Sequence, residues 1–204
     1  CATNEGKSTI SMNLALSLAE AGKRVILIDA DLRNSTMLGK LRCTGEKYGL
    51  AYYLSDMVTF DQVICSTDYE NLDIIMTGRF PPNPAELLGG KTFRNMLDQL
   101  RQIYDYVIVD TPPVGNVIDG AIIAESCDGL ILVVEANAIS YRFVQRVKDQ
   151  LEKPSCPILG VILNKVDASA EGYGRYGHYG QYGRYGRYGR YGRYGQYGQQ
   201  TDKK

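Results

Sequence analysis

EGKST, at residues 5–9, lies near the start of this chain of 204 residues and matches the end of a phosphate-binding loop. In such loops, backbone N–H groups and the N-terminus of the following helix hold phosphate oxygens. Lys7 would reach the outer phosphates, and the hydroxyl of Ser8 would ligate Mg²⁺. The full pattern has a glycine five residues before Gly6, where Cys1 stands here. The stretch could therefore also be a helix N-terminus capped by a serine.

Helical periodicity marks three segments after this loop. The first, at residues 8–21, ends at Gly22 and has four apolar residues on one face: Ile10, Leu14, Leu18 and Ala21. The second begins near Lys91 and carries five apolar residues: Phe93, Met96, Leu97, Leu100 and Ile103. The third is closed by Pro154 and carries four: Phe143, Val144, Val147 and Leu151. These patterns predict three amphipathic helices.

Five short apolar segments are typical of strands: residues 25–29, 72–76, 106–110, 130–134 and 158–163. The first is apolar until it ends in an acid, as expected of a strand buried on both faces of a parallel sheet. Strands that alternate with helices predict an α/β fold with a doubly wound, mainly parallel sheet of the P-loop NTPase type. We predict that residues 1–170 form this domain and that residues 171–204 form a separate tail.

Three aspartates lie where predicted strands end, which is where ligands bind in doubly wound sheets. Asp29 and Asp31 belong to VILIDADLR, and Asp110 ends the apolar run of VIVDTPP. An aspartate after such a strand is the second acid that P-loop enzymes use on Mg²⁺. Three carboxylates beside a phosphate site would repel one another unless a cation lies among them. One of the Asp29 and Asp31 pair could instead cap the next turn.

The C-terminal segment carries a tyrosine on every third residue: Tyr173, Tyr176, Tyr179, Tyr182, Tyr185, Tyr188, Tyr191, Tyr194 and Tyr197. Residues 171–204 contain no Leu, Ile, Val or Phe, so we predict that the segment is disordered. The absence of proline after Pro157 argues against a collagen triple helix. Arg-Gly-Tyr repeats also occur in disordered RNA-binding segments. Beside a nucleotide site, the phenol hydroxyls indicate a kinase that carries its own substrate.

Charge is distributed unevenly although the chain is neutral overall. Residues 171–204 carry a net charge of +5 and the remainder carries −5. A basic tail on an acidic body can dock on that body, on a neighbouring copy or on an anionic membrane surface. The five cysteines lack metal-ligand or redox spacing, which favours thiols in a reducing cytosol. No apolar run reaches the roughly 18 residues that span a bilayer. Because the chain begins at Cys1 inside a motif, we expect it to be a fragment.

EGKST, VILIDADLR and VIVDTPP, in this order, resemble the motifs of the bacterial tyrosine kinases of capsule and exopolysaccharide systems. PPNPAELL at residues 81–88, GVILNKVD at residues 160–167 and the tyrosine-rich end are similar to further segments of that family. The resemblance covers nearly the whole chain. It implies a tyrosine kinase that uses ATP and Mg²⁺ and regulates polysaccharide synthesis and export. It also implies that tail tyrosines are phosphorylated between neighbouring subunits of a ring.

Partners and location are implied by the same resemblance. They comprise a transmembrane activator protein or segment, other copies of the chain and a cognate tyrosine phosphatase, with no nucleic acid. The kinase would be cytoplasmic, at the inner face of the plasma membrane, through its partner or a missing N-terminal segment.

Site residues are matched by position in these motifs. Five residues of the loop correspond to the nucleotide-binding set: Glu5, Gly6, Lys7, Ser8 and Thr9. Ser8, Asp31 and Asp110 correspond to the Mg²⁺ ligands, and Asp29 corresponds to the base that accepts the proton of the incoming tyrosine. A phenol has a pKa near 10, so this proton must leave as the oxygen attacks. Spacing alone does not separate the roles of Asp29 and Asp31. Asn164 corresponds to a base-contacting residue, or is a strand cap.

The chain departs from the family pattern in several places. Cys1 replaces a small or hydroxyl residue, Asn4 stands where proline is common, and Gly89-Gly90 follows PPNPAELL where serine is usual. Because the chain is expected to be a fragment, we expect it to lack the N-terminal helix that the family uses for ring contacts. A rival function is a switch ATPase of the cell-division or partitioning type. Those proteins carry a lysine where Ala2 stands and lack a tyrosine tail. A second rival is an RNA- or membrane-binding protein whose tail is the contact surface.

Overall fold

The computed structural model describes residues 2–37, 48–114, 118–151 and 156–167. The chain divides into two units, Cys1–Val166 and Asp167–Lys204, and every helix and strand given below belongs to the first. The tail with its nine tyrosines lies outside the described residues. Its predicted disorder, and the predicted boundary between residues 170 and 171, therefore stay predictions.

The strands of the described residues are β1 (Val25–Asp29), β2 (Cys65–Ser66), β3 (Leu72–Ile75), β4 (Tyr106–Asp110), β5 (Leu130–Glu135) and β6 (Ile158–Asn164). The helices are α1 (Lys7–Glu20), α2 (Leu50–Leu54), α3 (Pro84–Gly89), α4 (Lys91–Ile103), α5 (Asp119–Ala124) and α6 (Tyr141–Leu151), with a 3₁₀ turn at Phe60–Gln62. All five predicted strands and all three predicted helices are confirmed. The sequence patterns missed β2 and the short helices α2, α3 and α5, which are too brief to show a period.

The strands pair mainly in parallel, which confirms the predicted fold class. One sheet has the order β2-β3-β1-β4, and a second contains β5 and β6. β1 is parallel to both β3 and β4, and β5 is parallel to β6. Among the strands of the described residues, only β2 runs antiparallel to its neighbour, β3. The carboxyl ends of β1, β3 and β4 consequently lie along one edge of their sheet.

Helices cover both faces of β1, as its uninterrupted apolar sequence predicts. Val25 and Leu27 belong to one buried cluster, together with Ala15 and Ala19 of α1. Ile26 and Ile28 belong to another, together with four residues of α4: Phe93, Met96, Leu97 and Leu100. Since successive side chains of a strand point to opposite faces, this alternation fixes two helical layers around the sheet.

The buried face of α1 differs from the predicted one. Ala15 and Ala19 are buried, whereas Leu14 is 37% exposed and Ala21 is also exposed. Apolar residues occur on most sides of this helix, so the period of 3.6 does not select a single face. The small alanines allow the helix to approach the sheet closely, and that packing selects the face. Gly22 ends the helix as predicted, with a left-handed φ of 77°.

None of the helices in the described part of the chain is both long and apolar enough to cross a membrane.

Candidate active site

The loop before α1 has two residues in the left-handed region of the backbone. Asn4 has a φ of 61° and Gly6 a φ of 87°. A Cβ atom added to Gly6 would lie 2.4 Å from Nδ2 of Asn164 and would displace that side chain, and the left-handed φ itself favours glycine. The predicted phosphate-binding loop thus leads into the N-terminus of α1 with its backbone tightly constrained.

Lys7 is folded back over this loop. Its Nζ donates a hydrogen bond to the carbonyl of Ala2 and lies 3.7 Å from Oε2 of Glu5. The Glu5 side chain is 1% exposed and that of Lys7 is 18% exposed. The same Glu5 carboxylate accepts the N–H of Ala2. A buried carboxylate therefore balances the ammonium charge inside the loop.

Asp110, at the end of β4, accepts hydrogen bonds from α1. Oγ of Ser11 donates to its Oδ1 at 3.1 Å, and the hydroxyl of Ser8 is near enough to lower the pKa of the same carboxyl group. Burial raises the pKa of Asp110 to about 6, and the charges of Asp29 and Asp31 act in the same direction. Ser8 and Asp110, which the sequence assigned to one cation site, lie together here.

Asp29 is almost completely buried at the end of β1 and pairs in register with Asp110 on β4. Its carboxylate accepts hydrogen bonds from Oγ of Ser35 and, at 3.3 Å, from the N–H of Asp31. The hydroxyl of Thr77, beyond β3, donates to the backbone carbonyl of Asp29 at 3.0 Å. Burial raises the pKa of Asp29, and these hydroxyl and amide donors offset part of that effect. A carboxyl group with a raised pKa is suited to accept a proton near neutral pH.

Asp31 is partly exposed and caps the turn that follows it. Its Oδ1 accepts the N–H groups of Arg33 at 3.2 Å and of Asn34 at 2.9 Å. The turn-capping contact that the sequence left as an alternative is therefore present, and it belongs to Asp31. It is compatible with metal binding, because a carboxylate has two oxygens and several lone-pair sites.

Arg33 links this turn to α5. Its Nε donates to Oδ2 of Asp119 at 2.6 Å, and its second guanidinium nitrogen donates to Oδ1 at 2.9 Å. The Asp119 side chain is 0% exposed, so the Arg33 guanidinium binds a buried carboxylate through two parallel hydrogen bonds. The pair fixes the segment that carries Asp29 and Asp31 to a helix 86 residues later in the chain.

Asn164, the last residue of β6, reaches the loop from the second sheet. Its Nδ2 donates to the carbonyl of Glu5 at 2.8 Å. The predicted contact with a nucleotide base stays a prediction, whereas the contact with the loop was not expected. Thr9, the remaining predicted loop residue, is exposed in the first turn of α1.

Sequence reasoning missed several residues around the site: Ser11, Ser35, Thr77 and the Arg33–Asp119 pair. Ser11 alone had a local signal, because it follows Ser8 by three residues and so shares its helix face. The others contact partners that only the folded chain brings near.

The donor set fits Mg²⁺ bound together with phosphates. Within the described ranges, no group of three or more His, Cys, Asp or Glu side chains is arranged to hold a metal ion alone. Mg²⁺ at nucleotide sites usually takes only one or two carboxylates and fills its remaining positions with phosphate oxygens and water. Ser8 and Asp110 supply oxygen ligands of that kind. Clustered carboxylates with raised pKa values are also what a bound cation would stabilise in ionised form.

Comparisons with known proteins agree with this geometry. A family model described as an AAA domain matches residues 4–154. The tyrosine-protein kinase CpsD of Streptococcus agalactiae serotype III (strain NEM316) is 48% identical over 170 residues, which cover 83% of this chain and 73% of that protein. The solved kinase domain of the Escherichia coli tyrosine kinase ETK is 33% identical, with a TM-score of 0.77 over 83% of this chain and 66% of that one.

A switch ATPase is more distant. The septum site-determining protein MinD of Pyrococcus horikoshii, solved with Mg-ADP, is 24% identical, with a TM-score of 0.65 over 79% of this chain and 65% of that one. At this identity the likeness concerns the fold alone. The kinases are more similar in both sequence and structure, which favours them over the switch ATPases.

Proposed function

This chain belongs to the family of the bacterial tyrosine-protein kinases, and we propose that it transfers the γ-phosphoryl group of ATP to the tyrosines of its own C-terminal tail. The observation that carries the proposal is the arrangement of Asp29 and Asp110 in register beside Ser8 and the phosphate-binding loop. Carboxylate oxygens, hydroxyl groups and backbone N–H groups meet at this strand edge, which supports binding of a nucleotide and its cation there.

We propose that the loop residues Glu5, Gly6, Lys7, Ser8 and Thr9 bind the nucleotide phosphates. Lys7 would exchange the carbonyl of Ala2 for a phosphate oxygen, since its side chain already lies over the loop. Ser8, Asp31 and Asp110 would hold Mg²⁺. When bound, ATP supplies the phosphoryl group and Mg²⁺ neutralises charge on it. Lys7 and the loop N–H groups stabilise the negative charge that develops during transfer.

Asp29 is the best candidate for the residue that accepts the tyrosine proton. The phenol oxygen forms a bond to the γ-phosphorus as the bond to the bridging oxygen breaks and ADP leaves. The phenol proton passes to the Asp29 carboxylate and then to solvent. Burial raises the pKa of Asp29, which favours this role. Asp31 remains the alternative, although its Oδ1 is engaged by two backbone N–H groups.

The proposed substrates are nine tail tyrosines: Tyr173, Tyr176, Tyr179, Tyr182, Tyr185, Tyr188, Tyr191, Tyr194 and Tyr197. A basic tail can bind the acidic site of a neighbouring copy, so we propose transfer between subunits of a ring. The name of the streptococcal relative supports tyrosine kinase activity. The motif resemblance supports a role in regulating capsule or exopolysaccharide synthesis. We further propose a transmembrane activator at the inner face of the plasma membrane and a tyrosine phosphatase that reverses the reaction.

Phosphopeptide mapping tests this function directly. The natural protein would be incubated with Mg²⁺ and ATP labelled at the γ-phosphate, with and without its membrane partner. We expect the label on tyrosines 173–197 and a higher rate with the partner. A variant with all nine tail tyrosines changed to phenylalanine provides the control. ATP hydrolysis without any labelled tyrosine would contradict the proposal and favour a switch ATPase.

A further inference from the structure

The last residue of β6 and the residue that follows it each donate a hydrogen bond to a backbone carbonyl of the phosphate-binding loop. Nδ2 of Asn164 donates to the carbonyl of Glu5 at 2.8 Å. Nζ of Lys165 donates to the carbonyl of Asn4 at 2.7 Å. The partners are separated by 159 and 161 residues in the sequence. The second sheet therefore holds the loop through its backbone carbonyls.

Lys165 is fixed on its other side by a carboxylate. The same Nζ donates to Oε2 of Glu135 at 2.7 Å. Glu135 is the last residue of β5 and pairs in register with Asn164 on β6. Lys165 itself has a left-handed φ of 55°. One ammonium group is thus shared between a strand-end carboxylate and a loop carbonyl.

The loop held in this way has an unfavourable backbone conformation. Asn4 is a non-glycine residue with a φ of 61°, and it accepts the Lys165 hydrogen bond on its own carbonyl. Such conformations persist when surrounding contacts over-determine them. Turns of this type also orient successive N–H groups toward one point, where an anion binds. A contact that holds Asn4 therefore keeps the loop in an anion-binding shape.

We propose that Lys165, with Glu135 as its counter-charge, is a positioning residue that holds the phosphate-binding loop in its binding conformation before a nucleoside triphosphate arrives. The inference rests on the proposed function, because it takes the nucleotide as the ligand of this loop. Preorganisation raises affinity by removing the cost of ordering the loop on binding. An exposed ion pair alone would contribute little, and Lys165 is 46% exposed. The effect of Lys165 on nucleotide affinity therefore comes from its hydrogen bond to the carbonyl of Asn4.

The test compares four single variants of the natural protein: Lys165→Met, Lys165→Arg, Glu135→Gln and Arg24→Met. Arg24 pairs with Asp105 at 2.8 Å where β1 and β4 begin, at the opposite ends of those strands from the site, so its variant controls for the loss of an exposed ion pair. Dissociation constants for ATP and ADP with Mg²⁺ would be measured by calorimetry. Amide hydrogen exchange of residues 2–9 would be followed without nucleotide, and thermal unfolding would be followed for each variant.

We expect Lys165→Met to weaken nucleotide binding about tenfold, the size typical of a lost charge-assisted hydrogen bond, and to speed exchange of the loop amides. Glu135→Gln should have a smaller effect of the same sign, and Lys165→Arg should recover part of the loss. Arg24→Met should change neither quantity. For phosphate transfer, KM for ATP should rise more than kcat falls, because Lys165 does not touch the reacting atoms.

Two results would overturn the proposal. If Lys165→Met binds nucleotide as the parent does, whatever its thermal stability, the contact has only a structural role. If affinity falls while loop exchange is unchanged, Lys165 contacts the nucleotide directly and does not position the loop. Failure of the proposed function gives a different result, namely nucleotide binding by the parent protein without label on tyrosine.

Discussion

Asp29 and Asp110 stand opposite each other in register, at the carboxyl ends of the adjacent parallel strands β1 and β4. Neighbouring strands are about 4.8 Å apart, so the two acids are close, and both are almost fully buried. Burial raises the pKa of each carboxyl group, and for Asp110 the value is about 6. This pairing concentrates negative charge where the nucleotide and its cation are proposed to bind. When neither is bound, the two buried acids lower the stability of the folded protein.

Asp110→Asn should stabilise the protein at pH 8 when nucleotide and Mg²⁺ are absent. The pKa of Asp110 is about 6 in the folded protein against an ordinary value of 3.8, so the folded state binds the proton more tightly. The contribution of this group to stability is present below about pH 4 and is lost as pH rises through about 6. Urea unfolding should therefore show that the variant gains more free energy of unfolding over the parent at pH 8 than at pH 5.

Asp105→Asn is the matched control for that experiment. Hydrogen bonds from Arg24 lower the pKa of Asp105, so its stabilising contribution is present at neutral pH and is lost only in acid. Its variant should be less stable than the parent at pH 8, opposite in sign to Asp110→Asn. If Asp110→Asn stabilises the protein by the same amount at both pH values, the result would contradict the raised pKa of Asp110.

Lys7→Met should abolish phosphorylation of the tail while the domain still folds, with some loss of stability because the buried Glu5 carboxylate loses its counter-charge. Lys7 contacts the loop carbonyl of Ala2 and the carboxylate of Glu5, and none of the buried apolar clusters. Removing a contact that stabilises transition-state charge typically lowers the rate about 10²-fold to 10³-fold. Labelling of tail tyrosines and circular dichroism would be measured together, with the exposed Lys23→Met as control. Labelling at near the parent rate would exclude this role for Lys7.

Asp29→Asn and Asp31→Asn should separate the base from the metal ligand. If Asp29 accepts the phenol proton, its variant should lose about 10²-fold to 10⁴-fold in kcat while the Mg²⁺ requirement stays the same. Asp31→Asn should instead raise the Mg²⁺ concentration needed for half-maximal rate. Mg²⁺ titrations of tail labelling measure both quantities. The reverse pattern would assign the base to Asp31.

Arg33→Met should destabilise the domain by about 1–3 kcal/mol, the cost of leaving a buried polar group without its partner. The Asp119 carboxylate is completely buried and is held by two hydrogen bonds from Arg33. Arg33→Lys should recover little, because a lysine lacks the planar fork. The double variant with Asp119→Asn should recover part of the loss in urea unfolding. Equal stability of Arg33→Met and the parent would show that water replaces the arginine.

Phosphorylation of the tail should dissociate the assembled kinase. Each phosphotyrosine adds about −1.5 to −2 charges, so roughly three modifications neutralise a tail that begins at +5. A basic tail can lie in the acidic site of a neighbouring copy, beside Asp29 and Asp31, whereas a heavily phosphorylated tail is repelled from it. Sedimentation of both forms tests this, and added salt should weaken the unphosphorylated assembly. The same mass for both forms at equal concentration would indicate that the tail is instead a docking site for other proteins.

The amino-acid sequence by itself determined the elements with strong periodicity and the place where the chemistry lies. The apolar run of β1 and the stripe of α4 are long enough to identify their structure from local pattern alone. The rule that parallel strands present their carboxyl ends at one edge then predicted that Asp29 and Asp110 lie together. The phosphate-binding loop could also be predicted from the sequence. Its residues, EGKST, are consecutive along the chain, so the motif is visible without the fold.

Only the tertiary structure decided which face of α1 is buried, and which distant side chains support the site. Ala15 and Ala19 face the sheet because close packing favours small residues there, a choice that an evenly apolar helix does not encode locally. The Arg33–Asp119 pair joins residues 86 apart, and Lys165 reaches Asn4 across 161 residues. Such contacts depend on how the strands are ordered and paired, so their partners share no spacing or period that a sequence pattern can reveal.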